Sequence, residues 1–245
     1  MIWVILATVM TTAAFVQGCL GFGYALVALS VVPYFLPMKD ANIVVSFSLV
    51  IPLALMFWQA RDQVSWSSLR DCYIGAIVGL PLGIAAFAWV HPDWLIIGTA
   101  IVILFVSMDG LLRKQRPEAT ASPSSFWGLV AGVGSGFLGG SIAVAGPPIV
   151  AYAARQAWSP LQTRAFLFAF FLVIAALRPP ILVIYGLVDM PVFMLSLAAM
   201  PCCLLGMKLG GLTSHHIDAQ QFRRIIYFAL VISSFAMIAR VLGAP

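Results

Sequence analysis

Apolar residues run through this chain in long blocks, not at helical or alternating intervals. They fill 2–36, 42–58, 72–90, 94–112, 126–154, 161–188, 190–212 and 224–243, with polar residues confined to the connections between. Each block is near or above the ~20 residues that a helix needs to cross a bilayer. No alternation of apolar and polar positions runs through them, so the pattern predicts membrane helices and not a barrel. The first block is too long for one crossing. As a straight helix, 2–36 would extend roughly 52 Å at ~1.5 Å per residue, against a hydrocarbon core of about 30 Å. It must bend or turn back, and Gly18, Gly21 and Gly23, with Pro33 and Pro37 beyond them, mark where.

Composition agrees with the pattern. Of 245 residues, 62% are hydrophobic and 9% charged, too few polar groups to cover the outside of a soluble domain. The N-terminal "MIWVILATVM" lacks a basic n-region and its apolar run is far longer than a signal peptide's, so it is expected to stay in the mature protein. The net charge of +5 is scattered over short loops and fits membrane orientation, with no nucleic-acid partner expected. Cys19, Cys72, Cys202 and Cys203 all fall inside apolar blocks without C-x-x-C spacing, as small fillers do; no metal or cofactor is expected.

The polar run "RKQRPEATASPSSF" (113–126) is the one long hydrophilic connection, and it divides the chain into 1–112, a linker 113–125, and 126–245. Landmarks recur across it. A shift of 115 lays "GFGYALVALSVVP" (21–33) over "GFLGGSIAVAGPP" (136–148), and a shift of 127 lays Pro52 over Pro179, Asp62 over Asp189 and "GLPLG" (79–83) over "GMKLG" (206–210). If the two glycine-broken segments each count as a single crossing, the loop cations divide six against five and orient nothing. If each enters and returns, Arg61, Arg70, Arg113, Lys114, Arg116, Arg155, Arg164, Arg223 and Arg224 share one face, and only Lys39 and Arg240 lie opposite. That is a positive-inside distribution. Each half then crosses an odd number of times, so the halves are inverted repeats. The expected fold is an all-α multi-pass integral membrane protein of two inverted-topology repeats, each a glycine-broken re-entrant or hairpin segment followed by three transmembrane helices. Glycine-interrupted helices at corresponding positions of inverted repeats are the sequence mark of a secondary transporter.

"GSGFLG" (134–139) matches G-x-G-x-x-G, but no strand precedes it and no acidic residue follows about twenty positions on, so a dinucleotide site is rejected. P-loop, H-E-x-x-H and G-x-S-x-G motifs are absent, and no enzyme is expected. Gly75, Gly79 and Gly83 stand at the four-residue spacing of close helix packing. Gly136, Gly139 and Gly140, with Ser135 and Ser141 beside them, are denser than packing needs and predict a ligand-facing loop over 134–141. Arg178, just before Pro179 and Pro180, either snorkels to the surface or faces a cavity at a kink; the sequence leaves both open. Lys208 is read as snorkelling, and Asp109 as a solvated partner of Arg113. No Asp, Glu or His falls deep within a block, and His91, His215 and His216 lie at loop ends, so no proton relay is visible. Cations, amides and hydroxyls without a carboxylate suit an anion. Candidate neutral donors are Gln17, Tyr24, Asn42, Ser46, Ser135 and Ser141. The full candidate set is Gln17, Gly21, Phe22, Gly23, Tyr24, Ser135, Gly136, Gly139, Gly140, Ser141 and Arg178, with the tips at 18–24 and 134–141 expected to meet at the substrate.

The blocks "GCLGFGYALVALSVVPYFLP" and "GVGSGFLGGSIAVAGPPIVAY", with "LLGMKLGGLTSHHIDAQQFRRIIYFALVISS" near the end, resemble the TauE/SafE sulfite exporter family, also called the toluene sulfonate uptake permease family. The last stretch carries most of the likeness, through Ile217, Asp218, Phe222, Arg223 and Arg224. The resemblance implies a multi-pass inner-membrane protein exporting a small sulfur-containing anion such as sulfite, sulfoacetate or a related sulfonate. Uptake of such anions, or a non-transporting membrane subunit, are the alternatives. The partners it implies are the anion and the lipid bilayer, and a homodimer is compatible with it.

Overall fold

The computed structural model describes residues 2–89, 125–141, 145–184, 186 and 188–214, isolated helical positions between 97 and 108 and between 221 and 239, and residue 243. The linker 113–124, His91, Asp109, His215, His216 and the motif residues Ile217, Asp218, Phe222 and Arg223 lie outside them. The regular elements among the described residues are helices: α1 (Ile2–Leu20), α2 (Tyr24–Val31), α3 (Met38–Ser48), α4 (Val50–Ala60), α5 (Trp66–Trp89), α6 (Ser125–Ser141), α7 (Gly146–Ala154), α8 (Pro160–Ile184) and α9 (Met190–Thr213). Three are long and apolar enough to cross a membrane by length and composition: 40–63, which joins α3 and α4 across Leu49, and then α8 and α9. At ~1.5 Å per residue, the 19 residues of α1 also reach roughly 28 Å.

The chain packs as two compact units, Met1–Val64 with Leu167–Ile217, and Ser65–Phe166 with Asp218–Pro245. Each unit therefore takes elements from both sides of the linker. Within the first, α1 lies along α9, with α2, α3 and α4 packed beside them, around a core that includes Met10, Tyr24, Val44, Leu53, Phe168 and Cys203. Within the second, α5 lies along α6, and α7 folds against α6. Tyr152, Trp158 and Phe166 form an aromatic cluster there, with ring centroids 4.8 to 6.3 Å apart.

Glycine sets both helix pairs. A Cβ at Gly75, Gly79 or Gly83 would land on the backbone of Leu129, Val133 or Phe137, and one at Gly132 or Gly136 on the backbone of Cys72 or Ala76. The α5–α6 seam is thus closed from both sides, and only residues without a Cβ let the backbones come so near. The α1–α9 seam is built alike: Gly206 meets Thr11 and Phe15, Gly210 meets Phe15 and Cys19, and Gly18 meets Met207. A shift of 127 carries Gly79 and Gly83 onto Gly206 and Gly210. A shift of 122, and not 115, carries their partners, taking Thr11 and Phe15 onto Val133 and Phe137.

Both breaks are present, one of them displaced from its expected place. The first is confined to 21–23, where Gly21 and Gly23 hold φ of 87° and 107°, a region open to glycine and strained for other residues. Gly18 remains helical. The second does not fall at 134–141: α6 runs unbroken through Gly136, Gly139 and Gly140 to Ser141, and α7 begins at Gly146. Without water to satisfy freed backbone groups, even a glycine-rich stretch keeps its helical hydrogen bonds. The shift of 115 thus pairs Gly21, at a break, with Gly136 in mid-helix.

Candidate functional site

Each break is a reversal of the chain. Tyr24 follows Met10 by fourteen residues, which a straight helix would spread over about 21 Å, yet the Tyr24 hydroxyl lies 3.6 Å from Met10 Sδ. The same interval separates Ser135 from Ile149, whose backbone N–H donates to Ser135 Oγ at 3.0 Å. Two short-range contacts thus pin two hairpins, one in each unit.

Gln17 closes the first turn. Its Nε2 donates to the Gly21 carbonyl at 3.0 Å and its Oε1 accepts from Tyr24 N–H at 3.1 Å, satisfying two backbone groups that the break would leave open. The Tyr24 ring is fully buried. Its hydroxyl shares a 2.6 Å hydrogen bond with Ser48 Oγ and another, at 3.1 Å, with Cys203 Sγ, joining α2, α3 and α9. Phe22 is buried beside it, Gly21 is buried and Gly23 half-buried. In the second unit Ser135 is occupied by Ile149, and Ser141 Oγ donates back to Phe137 O at 2.8 Å. Gly136 stands in the α5 seam, Gly139 is buried and Gly140 half-buried. Of the eleven sequence candidates, Gln17, Tyr24, Ser135 and Ser141 spend polar atoms on holding their own turns and helices. Ser48 and Cys203, which complete the Tyr24 cluster, have no motif that would announce them.

Arg178 has a different environment. It lies in α8 immediately before Pro179 and Pro180, which lack N–H groups and so leave the Ala175 and Ala176 carbonyls without their helical donors. The helix nevertheless continues to Ile184. The Arg178 guanidinium donates through Nη2 to Asn42 Oδ1 of α3. Among the described residues no carboxylate pairs with it, whereas Arg61 pairs with Asp62 and Arg70 with Asp71, each a chain neighbour. Arg178 is half-buried and tied to a facing helix within its unit. Lys208 is exposed. Arg164, read as a loop cation, is instead buried near the start of α8 at 6% exposure. The described residues contain no cluster of His, Cys, Asp or Glu that could hold a metal.

Apolar helices of spanning length, two hairpin breaks inside apolar segments and a cation that no described carboxylate pairs mark a multi-pass membrane protein. The chain belongs to the sulfite exporter TauE/SafE family, whose model matches residues 5–237. It is 27% identical over 177 residues to the probable inner membrane transporter protein TsaS of Comamonas testosteroni, an alignment covering 71% of this chain and 73% of that one. No solved structure matches it. The relative is named for an inner-membrane location, and the apolar helices of spanning length here fit a multi-pass membrane protein.

Proposed function

We propose that this chain is a secondary transporter that exports a small sulfur-containing organic anion, with sulfite, sulfoacetate and related sulfonates as the substrate class, by alternating access built on two inverted-topology repeats. The observation that carries the anion reading is Arg178: a guanidinium in an apolar helix, at a proline pair, held by a neutral amide. Placing a charge inside a membrane segment is costly, by about 2.5 to 3.5 kcal/mol on the lenient insertion scale, and such residues mark substrate paths. The twin hairpins and matching glycine seams support the repeats. The first break contributes a backbone wall at Gly21 and Gly23, held in shape by Gln17 and Tyr24, and the unbroken end of α6 contributes Gly139 and Gly140 beside Ser135 and Ser141.

Calorimetric titration of the purified protein with sulfite, methanesulfonate and isethionate, beside counterflow in proteoliposomes, tests this reading. Binding and exchange of at least one of these anions are expected, with thermal stabilisation rising with ligand concentration. Binding without exchange would favour a non-transporting subunit, and neither would remove the reading.

A further inference from the structure

We infer, resting on the reading of Arg178 as the charged substrate contact, that Asn42 aims this guanidinium without cancelling its charge, and that the site therefore selects monoanions over dianions. A guanidinium has only donors, so the atom that Asn42 turns toward it must be Oδ1. The amide nitrogen is then the other arm of the same group, and it adds two N–H donors beside the arginine. Asn42 is itself steadied: its flanking residues Ala41 and Ile43 are buried, and its backbone carbonyl accepts the Ser46 hydroxyl at 2.7 Å. One amide oxygen engages a single arm of five N–H donors, which leaves a planar edge able to meet two oxygens of one ligand.

A carboxylate at position 42 would bind the same arginine more strongly, and in the same shape, but would neutralise it. The amide orients and leaves the positive charge in place. Asp40 lies two residues before Asn42, about 200° around α3, and makes no ion pair with Arg178 among the described residues. Among the described residues Arg178 is the cation that Asn42 contacts; a monoanion neutralises that charge, whereas a dianion leaves one negative charge uncompensated in a partly buried site.

The test is calorimetry on the purified full chain with methanesulfonate and isethionate as monoanions and sulfate and sulfoacetate as dianions. In the wild type the monoanions are expected to bind at least about tenfold more tightly, which within the proposed substrate class ranks the monoanionic sulfonates above sulfoacetate. Asn42→Asp, which barely changes side-chain volume, is expected to lower methanesulfonate affinity about tenfold to a hundredfold, the same loss expected of Arg178→Ala. Asn42→Ala keeps the charge, so it should lose less affinity and retain the monoanion preference, which a merely structural asparagine would not separate from the aspartate variant. Should Asn42→Asp fail to elute as a monodisperse peak, the wild-type and Asn42→Ala preference ratios decide. Equal affinity for methanesulfonate and sulfate, or undiminished binding in Asn42→Asp while Arg178→Ala has lost it, overturns the inference and leaves the anion site standing. Wild-type affinity in Arg178→Ala removes both.

Discussion

A guanidinium in an apolar helix has to be answered by something, and at Arg178 the answer is an asparagine 136 positions earlier in the chain. If the remaining donors meet substrate, Arg178→Ala loses one charge-assisted contact of about 1.5 to 3 kcal/mol, or tenfold to a hundredfold in affinity. Arg178→Lys should fall between, because an ammonium offers a point charge and no fork. Titrating both purified variants checks this, and unchanged affinity in either would mean that the arginine faces lipid headgroups. Tyr24 is the opposite case. Its hydroxyl is spent on Ser48 and Cys203, so Tyr24→Phe should destabilise the protein by about 1 to 3 kcal/mol through the stranded partners. Thermal unfolding in detergent should detect that loss while the anion Kd stays put; a weakened Kd with unchanged stability would return the hydroxyl to the substrate. The sequence exposed Arg178 and its prolines because charge and ring are local properties. It could not pair Arg178 with Asn42, since nothing in either neighbourhood encodes a contact across that separation.

Between helices the decisive quantity is the space for one carbon. Gly79→Ala would press a Cβ into the backbone of Val133, where no side chain can rotate away. Overpacking of this kind costs about 1 to 3 kcal/mol, and at about 2 to 4 °C per kcal/mol for a chain this size the melting temperature should fall clearly. Gly128→Ala in α6 is the control, for there a Cβ meets only side-chain atoms of Asp71, Tyr152 and Cys72 at 3.4 to 3.5 Å. Equal melting temperatures for the two variants would count against the seam. Gly139→Ala and Gly140→Ala make the contrasting pair: with backbone walls at the substrate, transport should drop severely while the protein stays folded, and unchanged transport would assign both to packing. The helices themselves were legible because apolar length is a local property. The first break was legible because Gly21 and Gly23 need positive φ. The second was misplaced because glycine does two jobs: at Gly132 and Gly136 it admits a neighbouring backbone, and density alone cannot tell that from an interruption.

For the whole molecule, the charge division predicts that 59–71, 113–125, 155–160 and 213–222 face the cytoplasm, with both termini outside. Arg61 lies 4.2 Å over the exposed Trp58 ring at the end of α4, a pairing of aromatic and cation suited to a membrane interface. Single-cysteine labelling at position 120 in a cysteine-free background should react only after the membrane is permeabilised, and labelling from the periplasm would contradict the topology. The sequence division at the linker and the packing division do not coincide, because an apolar block states that it is buried without stating against what. A second outcome follows: 1–112 and 113–245 expressed separately should each be degraded, and expressed together should restore anion binding. The α1–α9 seam also sets a timetable. Gly18 is translated roughly 190 residues before Gly206 and Gly210, so at about 5–20 residues per second α1 spends some 10 to 40 s without its partner, whereas α6 follows α5 within a few dozen residues. During synthesis the first helix is thus an orphan, and a ribosome stalled after α8 leaves it for quality-control proteases to find.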